Sequence, residues 1–592
     1  MSVLQAISRF AQYVAQLVQP WTAVLQFIFG GLAMVLGFWG WSLHEPATDW
    51  EGHVNNAFRT LQLLALQFPP AMTGHIEWQL QVARLALPLV AILASFQIMV
   101  GAVTRPFRLA LMPRERDHII LHGVNQMTEA ALLTLARRGR RIVVSAPGLP
   151  ASRRDVLEGY GLTVIDTDPS DPTALRALNV KSASAFLVAG VDDLENLNLA
   201  ALVVRANAAR RPDARDLVLA VATDREDIAV EIDAALDGVA RAHRVQYRRL
   251  CPDRDGLRLE LARFAPVFMR ADLTEPAHVL VVGLAGRWEE SLAQLILAAQ
   301  DHPTEAPILT LVVNAAEAAA FAPWRAARPD LDRIARIELV QAATFPPSEA
   351  EVAKVVARFG PPHLVVILRG DLDAIAAALA LRRPGNPFGA QRTPLLARQS
   401  REDRLLAILG GAKAAGRDFS RMAAFGGLIR ADAIERVLDR KGDDIAIALH
   451  AHYLDSSKTL APGSPESLRA WDDLSENLRE ANRAAADHAR ILFATRGLRV
   501  VPAGTASAAT LSPDDVEALA RVEHRRWMAD RIDLGWRAGP RRDNSRLIHP
   551  NIVDYDSLPD IEREKDRVTA RALVDILARG GMALTRQAEA AI

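Results

Sequence analysis

The sequence predicts three kinds of structure in succession: a two-span α-helical membrane domain, two α/β units with parallel sheets, and a small, mainly helical C-terminal domain. Three observations predict this order. Two uncharged runs of about 20 residues come first. A strand-turn-helix-strand pattern then occurs twice, and helical spacing dominates the rest. At 592 residues the chain is far longer than one core usually serves, so several domains are expected.

Charge and cysteine content exclude some classes of protein. Lys plus Arg and Asp plus Glu number 70 each, so no net field attracts nucleic acid, and no nucleic-acid partner is expected. Cys251 is the single cysteine, which rules out an intramolecular disulfide and a cysteine-rich metal cluster in this sequence. HExxH and clustered carboxylate motifs are also absent, so we expect no metal site.

The two uncharged runs lie at about 23–43 and 85–104, and each is long enough to cross a bilayer as a helix. We assign residues 1–112 to the membrane domain, with the lipid bilayer as its partner. Four arginines follow the second run, whereas Glu45, Asp49 and Glu51 stand against Arg59 in the connecting loop. The positive-inside rule therefore predicts an inner-membrane protein with both termini and the large C-terminal part in the cytoplasm. The alternative for the first run is a signal peptide, but no small-residue cleavage site follows it.

The loop between the spans contains an apolar, helix-like segment at 55–68 that is too short to cross the membrane. It predicts either a re-entrant pore helix or an amphipathic helix on the outer surface. In the first case Thr60, Gln62 and Gln67 are the polar residues that could line a pore. No threonine-valine-glycine-tyrosine-glycine sequence follows, so a potassium filter of that type is not predicted.

The region 117–250 opens with the strand "HIILHG", a helix and the strand "RRIVVSA", which is the order of a Rossmann-like fold. Dinucleotide binding in that fold needs three glycines in the first turn and an acid after the second strand. Here only Gly123 is present. Asn125 and Thr128 stand at the other two glycine positions, and Ser145 stands near that of the acid. An ordinary NAD site is therefore not expected.

Further along, 157–206 resembles the cytoplasmic RCK or TrkA-N domain, which regulates conductance of potassium channels and transporters. The resemblance rests on two aspartates after the third strand, on "DPTAL", and on "DDLENLNLA" after the fourth strand. It implies domains that pair into rings, here as a homotetramer, and pull on a pore-lining helix when a ligand binds. The weak candidates for holding that ligand are Gly123, Asn125, Asp166, Asp168 and Asp192. The alternative is that the aspartates only cap helices.

A second unit of the same pattern, 277–410, carries Gly283 and Gly286 in its first turn, followed by Arg287. Such a turn can hold an anion at a helix start, so these three residues are weak ligand candidates too. Neither unit has the full glycine fingerprint or a catalytic acid-base set, so we expect no enzyme and name no catalytic residue. Residues 420–510 have helical spacing and are assigned as a helical connecting region.

The last region, 513–590, carries the most specific pattern. Its segment 519–577 resembles the ryanodine-receptor repeat, the RyR domain. The shared skeleton consists of His524, Trp527, Arg531, Gly535, Trp536, Gly539, Pro540, Asp543, His549, Pro550, Leu558, Pro559, Lys565, Asp566 and Arg567. The resemblance implies a small helical module, which in ryanodine receptors sits on the cytoplasmic shell of a calcium-release channel.

A ligand pocket is one interpretation of this module. Two tryptophans can stack on a planar base, and arginines can hold a phosphate, so the candidate ligand is a nucleotide and no cofactor is assigned. The predicted site consists of His524, Trp527, Arg531, Trp536, Arg541, Arg542, Asp543 and His549. In the alternative, the tryptophans form a core and Asp543 pairs with Arg531. The charged stretch "DIEREKDR" is expected to be a solvated helix face.

Together these features predict a ligand-gated ion channel, cation- or potassium-channel-like, with RCK-type gating domains and an RyR ligand-binding or docking module. The alternative is a non-conducting, membrane-anchored receptor that senses a nucleotide in signalling or defence. A membrane-tethered oxidoreductase is the third hypothesis, and bound NAD or flavin would be its mark.

Overall fold

The computed structural model describes residues 26–68, 75–210, 212–223, 229–270, 272–383, 393–399, 413–414, 417–419, 421–426, 431–438, 443–458, 466–505 and 509–586. The chain forms two compact units. The first comprises Met1–Arg114 with Ser152–Thr163, and the second comprises Glu115–Ala151 with Val164–Ile592.

The first unit contains α1 (Gln26–His44), α2 (Trp50–Gln62) and α3 (Trp78–Leu111). By length and composition, α1 and the Trp78–Ser95 part of α3 could each cross a membrane. Two expected bounds were wrong. The second span lies inside a helix that begins at Trp78 rather than near 85, and α2 begins at Trp50 rather than 55. The first of these follows from polar residues at the start of α3, which interrupt the apolar run without breaking the helix.

Both Rossmann-like units are parallel α/β sheets. The strands of the first are β1 (Ile119–His122), β2 (Ile142–Ser145), β3 (Thr163–Ile165), β4 (Ala185–Val188), β5 (Leu217–Ala222) and β6 (Val245–Leu250). Its helices are α4 (Glu129–Arg137), α5 (Ala151–Gly159), α6 (Pro172–Ala177), α7 (Asp193–Ala206) and α8 (Ala229–Ala242). The strand order β3-β2-β1-β4-β5-β6 is the doubly wound order, and β1 pairs in parallel with both β2 and β4. The apolar runs of the sequence form these strands because a parallel sheet is buried on both faces.

The second sheet has the same topology. Its strands are β7 (His278–Val282), β8 (Ile308–Val313), β9 (Arg336–Gln341), β10 (Leu364–Ile367), β11 (Leu395–Arg398) and β14 (Met422–Phe425), in the order β14-β11-β10-β7-β8-β9. A separate pair, β12 (Lys413–Ala414) and β13 (Arg417–Asp418), lies between the last two in sequence. The helices are α9 (Pro252–Phe264), which precedes the sheet, then α10 (Trp288–Ala298), α11 (Ala315–Ala326), α12 (Glu349–Phe359) and α13 (Asp371–Leu381).

The expected limit of this unit at residue 410 cuts its sheet, because β14 pairs in parallel with β11. The apparent helical region therefore starts with a strand. The tandem Rossmann-like fold is confirmed by the two strand orders.

The remaining helices are α14 (Ala431–Leu438), α15 (Asp444–Ser456), α16 (Glu476–Ala494), α17 (Pro513–Asp533) and α18 (Asp560–Arg579). Strand β15 (Leu498–Pro502) pairs antiparallel with β18 (Met582–Arg586), and β16 (Arg537–Ala538) pairs with β17 (Ile548–His549). Leucines from α16, α17 and α18 meet in one buried cluster. Met528 and Ile532 of α17 instead join the core of the second Rossmann-like unit, so the terminal module is packed onto that unit.

Candidate functional site

Three helices of the membrane unit meet at Gly37. A Cβ placed there would lie 2.7 Å from Cγ2 of Thr60, on α2, and 3.3 Å from Cβ of Ala83, on α3. Gly37 is about 10 Å along α1 from its end at His44, at 1.5 Å per residue. The C-terminal end of α2 therefore packs against the middle part of α1.

The predicted pore residues have different environments. Thr60 is buried, and its hydroxyl donates to the carbonyl oxygen of Asn56 at 2.8 Å, so within one chain it is a packing residue. Gln62 is half-buried and Gln67 is exposed at the turn that follows α2. Leu66, in that turn, has a φ of 59° and is 70% exposed. The polar groups that remain available to line a pore at the tip of the segment are therefore the two glutamine side chains and the backbone.

The first turn of the Rossmann-like unit 117–250 is closed by its own side chains. Asn125 Nδ2 donates to the carbonyl oxygen of Ala189 at 2.7 Å, and Asn125 Oδ1 accepts from the backbone N–H of Met127. The hydroxyl of Thr128 donates to the carbonyl oxygen of Gly123. A Cβ on Gly123 would lie 2.3 Å from the same Ala189 oxygen. The turn that holds the pyrophosphate in dinucleotide-binding domains is therefore tied here by hydrogen bonds of its own side chains.

The three aspartates of this unit bind backbone groups. Asp166 accepts from the N–H of Gly148, Asp168 from that of Ser170, and Asp192 caps α7 through Glu195. The bonds from Ser170 lower the pKa of Asp168. The capping interpretation accounts for their positions, because short acidic side chains satisfy the first N–H groups of turns and helices.

In the second unit, the chain itself supplies the anion at the glycine turn. The carboxylate of Glu317 accepts from the N–H of Leu284 at 2.9 Å and pairs with Arg369 at 2.8 Å. A Cβ on Gly283 would lie 2.5 Å from Nε of Arg369. Gly286 is covered in the same way by the guanidinium of Arg398, and Arg287 lies 3.5 Å from Asp193. Both predicted turns are therefore filled by side chains of this protein.

The terminal module brings several of its predicted residues together. The ring of His549 lies 4.9 Å from that of Trp527 and 6.0 Å from that of Trp536, both edge to face. The guanidinium of Arg542 lies 6.0 Å from the ring of Trp536. Both tryptophans are half-buried, with one side packed against the core. We call Trp527, Trp536, His549 and Arg542 the aromatic cup.

Positively charged side chains lie near the cup, and Glu562 lies among them, paired with Lys565 at 2.9 Å. Burial, then Arg542 and Arg531, lower the pKa of His549 to about 4, so the imidazole is neutral at pH 7. Its Nδ1 accepts from the N–H of Asn551 at 3.1 Å, which leaves the proton on Nε2. Lys565 acts on His549 in the same direction as the arginines. The cup therefore offers aromatic faces, an N–H donor and cations, a combination suited to an anionic ligand with a planar ring.

Other predicted residues do not join the cup. His524 is buried, with Nε2 2.8 Å from the carbonyl oxygen of Val553, although its ring stacks on Trp527. Asp543 accepts from the N–H groups of Ser545 and Arg546, and Arg531 lies 3.3 Å from Asp530. The ion pair between Asp543 and Arg531, which the alternative interpretation proposed, does not form among the described residues, because each has a nearer partner.

The stretch "DIEREKDR" was also assigned wrongly. Its residues Glu562–Arg567 are half-buried on α18, and Arg567 binds Glu517 of α17 at 2.7 Å. Sequence analysis missed Glu562 and Lys565 as neighbours of the cup.

The fold and site define a class of protein in which two tandem Rossmann-like units and a terminal aromatic module follow helices of membrane-spanning length. Residues 510–586 match the RyR domain family, which confirms the resemblance of the terminal module.

Solved structures similar to this chain are those of the GsuK channel, which contains an RCK domain. One, described as the GsuK channel, is 15% identical over 72% of this chain and 99% of its own, with a TM-score of 0.33. A second, the GsuK channel bound to NAD, is 14% identical over 84% of this chain and 87% of its own, with a TM-score of 0.30. A structure of the GsuK RCK domain is 14% identical over 56% of this chain and 79% of its own, with a TM-score of 0.32. At these TM-scores the likeness says nothing about the function of this chain.

Proposed function

We propose that this protein is a cation channel of the inner membrane, assembled as a homotetramer and opened by a nucleotide-type ligand at the aromatic cup. The large C-terminal part and both termini are then cytoplasmic, and the protein is not an enzyme. The proposal rests on the packing of the C-terminal end of α2, where Thr60 lies against Gly37 of α1 beside Ala83 of α3.

The direction of α2 supports cation conduction. A helix carries partial negative charge at its C-terminal end, where the last carbonyl groups lack partners within the helix. In the proposed channel the end of α2 lies at membrane depth. The segment 60–68 contains no charged side chain. In a tetramer, four such ends would face a common axis with Gln62 and Gln67 beside them. That arrangement would stabilise a cation and disfavour an anion.

Chain connectivity supports coupling between the cytoplasmic part and the pore. Helix α3 leads through the 3₁₀ turn Met112–Arg114 to β1, which begins at Ile119. So short a connection transmits a displacement of the Rossmann-like unit to α3. A ligand opens the channel only if it binds the open state more tightly than the closed state. Each 1.4 kcal/mol of this difference in binding free energy shifts the opening equilibrium about tenfold.

The test is ion flux from liposomes that contain the purified protein, with a panel of nucleotides added on the cytoplasmic side. We expect flux with one class of nucleotide and its loss in Trp536→Ala and Arg542→Ala. Arg541→Ala is the matched control, since it removes the neighbouring arginine, which is exposed and makes no contact with the cup among the described residues. It should keep the response.

A different outcome would favour the receptor hypothesis. If the full-length protein binds a nucleotide that Trp536→Ala abolishes, yet no ion crosses the bilayer under any condition, the pore is rejected and ligand sensing is retained. Equal flux in all variants would reject the cup as the sensor.

A further inference from the structure

Six arginines and five carboxylates line a cavity of about 80 Å³ in the second compact unit. They come from three distant parts of the sequence: the end of β6 with α9, helix α14, and helix α16 with Asp443. The charged lining residues are Arg248, Arg249, Arg254, Arg258, Arg436, Arg483, Asp255, Asp443, Glu476, Glu480 and Asp487. We call this the arginine cavity. It lies apart from the aromatic cup and shares no lining residue with it.

Most of the carboxylate oxygens are already engaged. Asp443 accepts from Arg248 Nη1 at 2.7 Å and from Arg483 Nε at 2.9 Å. Glu480 and Asp487 both bind Arg258. Asp255 accepts from Arg254 Nε and from the N–H of Cys251, each at 3.1 Å. These carboxylates are therefore shared among arginine and backbone donors.

Donors remain in excess. The side chain of Arg248 is 4% exposed, and its Nε has no hydrogen-bond partner within the described residues. The side chain of Arg254 is 8% exposed and donates to Asp255 through Nε. Among the described residues, its Nη1 and Nη2 groups make no further hydrogen bond to an acceptor. A buried guanidinium donor without an acceptor is costly, so a ligand that supplies oxygen atoms would be stabilising here.

The lining residues carry a small excess of positive formal charge. Burial by itself would raise the pKa of Glu480, but Arg258, Arg254 and Arg249 hold that pKa at about 2. Formal charges of the lining sum to one positive charge, from six arginines against five acids. Exposed Arg436 lies at the cavity as well, 3.9 Å from Asp487. An anion entering the cavity would therefore meet net attraction in a poorly solvated place.

We propose that the arginine cavity binds a tetrahedral oxyanion, either inorganic phosphate or the phosphoryl group of a small phosphate ester. The volume suits this class, since 80 Å³ has room for a few water molecules and is too small for a nucleotide. Arginine forks match the oxygen geometry of phosphate. The bound oxyanion would connect α14 and α16 to the end of β6, because all three contribute lining residues.

The experiment is equilibrium dialysis of the full-length protein in detergent with radiolabelled inorganic phosphate at constant ionic strength, repeated with glycerol phosphate as competitor. We expect one saturable site per chain and a higher thermal midpoint with phosphate. Arg254→Met should weaken binding about tenfold or more, equal to about 1.4 kcal/mol. Arg263→Met is the matched control, because this arginine also lies on α9 but is 69% exposed and outside the cavity.

Folding of the variant is checked separately. If Arg254→Met does not fold, Arg248→Lys replaces it. This change keeps the positive charge but removes the paired N–H donors of the guanidinium group, so it should still weaken binding. If glycerol phosphate competes, a phosphoryl group is sufficient for binding. If it does not compete, the ligand is inorganic phosphate, and either result supports the site. The absence of saturable binding in the native protein, or equal affinity in Arg254→Met and Arg263→Met, would overturn the proposal.

Discussion

Asp330 accepts a hydrogen bond from the backbone N–H of Ala538 at 2.8 Å. Asp330 belongs to the second Rossmann-like unit, and Ala538 follows Trp536 of the cup by two residues. A neighbouring contact, from Arg328 Nη2 to the carbonyl oxygen of Asp533 at 2.9 Å, joins the same two domains. The segment that carries Trp536 is thus attached directly to the Rossmann-like unit, so movement at the cup has a route to that unit.

Asp330→Ala should loosen this attachment. The mutation leaves a part-buried N–H without its carboxylate and should lower the free energy of unfolding by about 1.5–3 kcal/mol, the range for hydrogen bonds to charged groups. Chemical denaturation of the full-length protein measures it. Asp332→Ala is the control, because Asp332 is 69% exposed and pairs with Arg325 at the surface. Equal effects of both mutations would contradict a special role for Asp330.

Acid should destabilise the protein partly through His549. Its pKa is about 4 in the folded protein and about 6.5 in an unfolded chain, so the unfolded state binds the extra proton between these values. Stability therefore falls as pH drops from about 6.5 to about 4. His549→Gln should reduce that slope by up to about 1.4 kcal/mol per pH unit.

The comparison of stability curves from pH 8 to pH 4 tests this. At pH 8 His549 is neutral in both states, so any difference there reports packing alone. His278, His363 and His488, whose pKa values are also lowered by burial, remain in the variant and contribute equally to both curves. Parallel curves would show that His549 does not contribute.

Gly40→Ala should separate α1 from α3. A Cβ at this position would lie 2.7 Å from the backbone nitrogen of Leu80, which cannot move aside as a flexible side chain would. We expect a loss of about 1–3 kcal/mol, the range for overpacking, and reduced thermal stability of the membrane unit. Gly31→Ala is a matched control in the same helix, because nothing described lies within 4 Å of its Cβ. A harmless Gly40→Ala would mean that the two helices are not in close contact.

Asn125→Gly should not create an NAD site. The change restores a glycine of the fingerprint, but it removes the bonds to the Ala189 carbonyl and the Met127 N–H. Thr128 still binds the Gly123 carbonyl. We expect stability to fall by about 1–3 kcal/mol and no NAD binding in calorimetry. Tight NAD binding by the variant would show that Asn125 alone blocks the site.

Sequence periodicity was enough for β1, β2, β7, β8 and β10, because a strand buried on both faces of a parallel sheet is an uninterrupted apolar run. It did not mark β6 or β9, whose sequences mix apolar and charged residues. Periodicity also failed at β14, which pairs with β11 in the sheet but is separated from it by 23 residues along the chain. It failed again at α18, where charged residues are half-buried. The tryptophans and His549 of the cup were predicted because they belong to the RyR skeleton. Lys565 belongs to the same skeleton but was not assigned to the site. Glu562 and Asp330 were not predicted, since nothing local marks a residue that contacts a distant segment.

The sequence by itself determined two membrane-length helices, the tandem Rossmann-like units and the terminal RyR module, because hydrophobic length, strand alternation with helices, and motif residues are local properties. Only the tertiary structure decided which candidates meet. It filled both glycine turns with Asn125 and Glu317, buried Thr60 and His524, and collected the arginine cavity from three distant segments. Hydrogen bonding and charge pairing act at a few ångströms in space, and distances in space are set by packing rather than by sequence spacing.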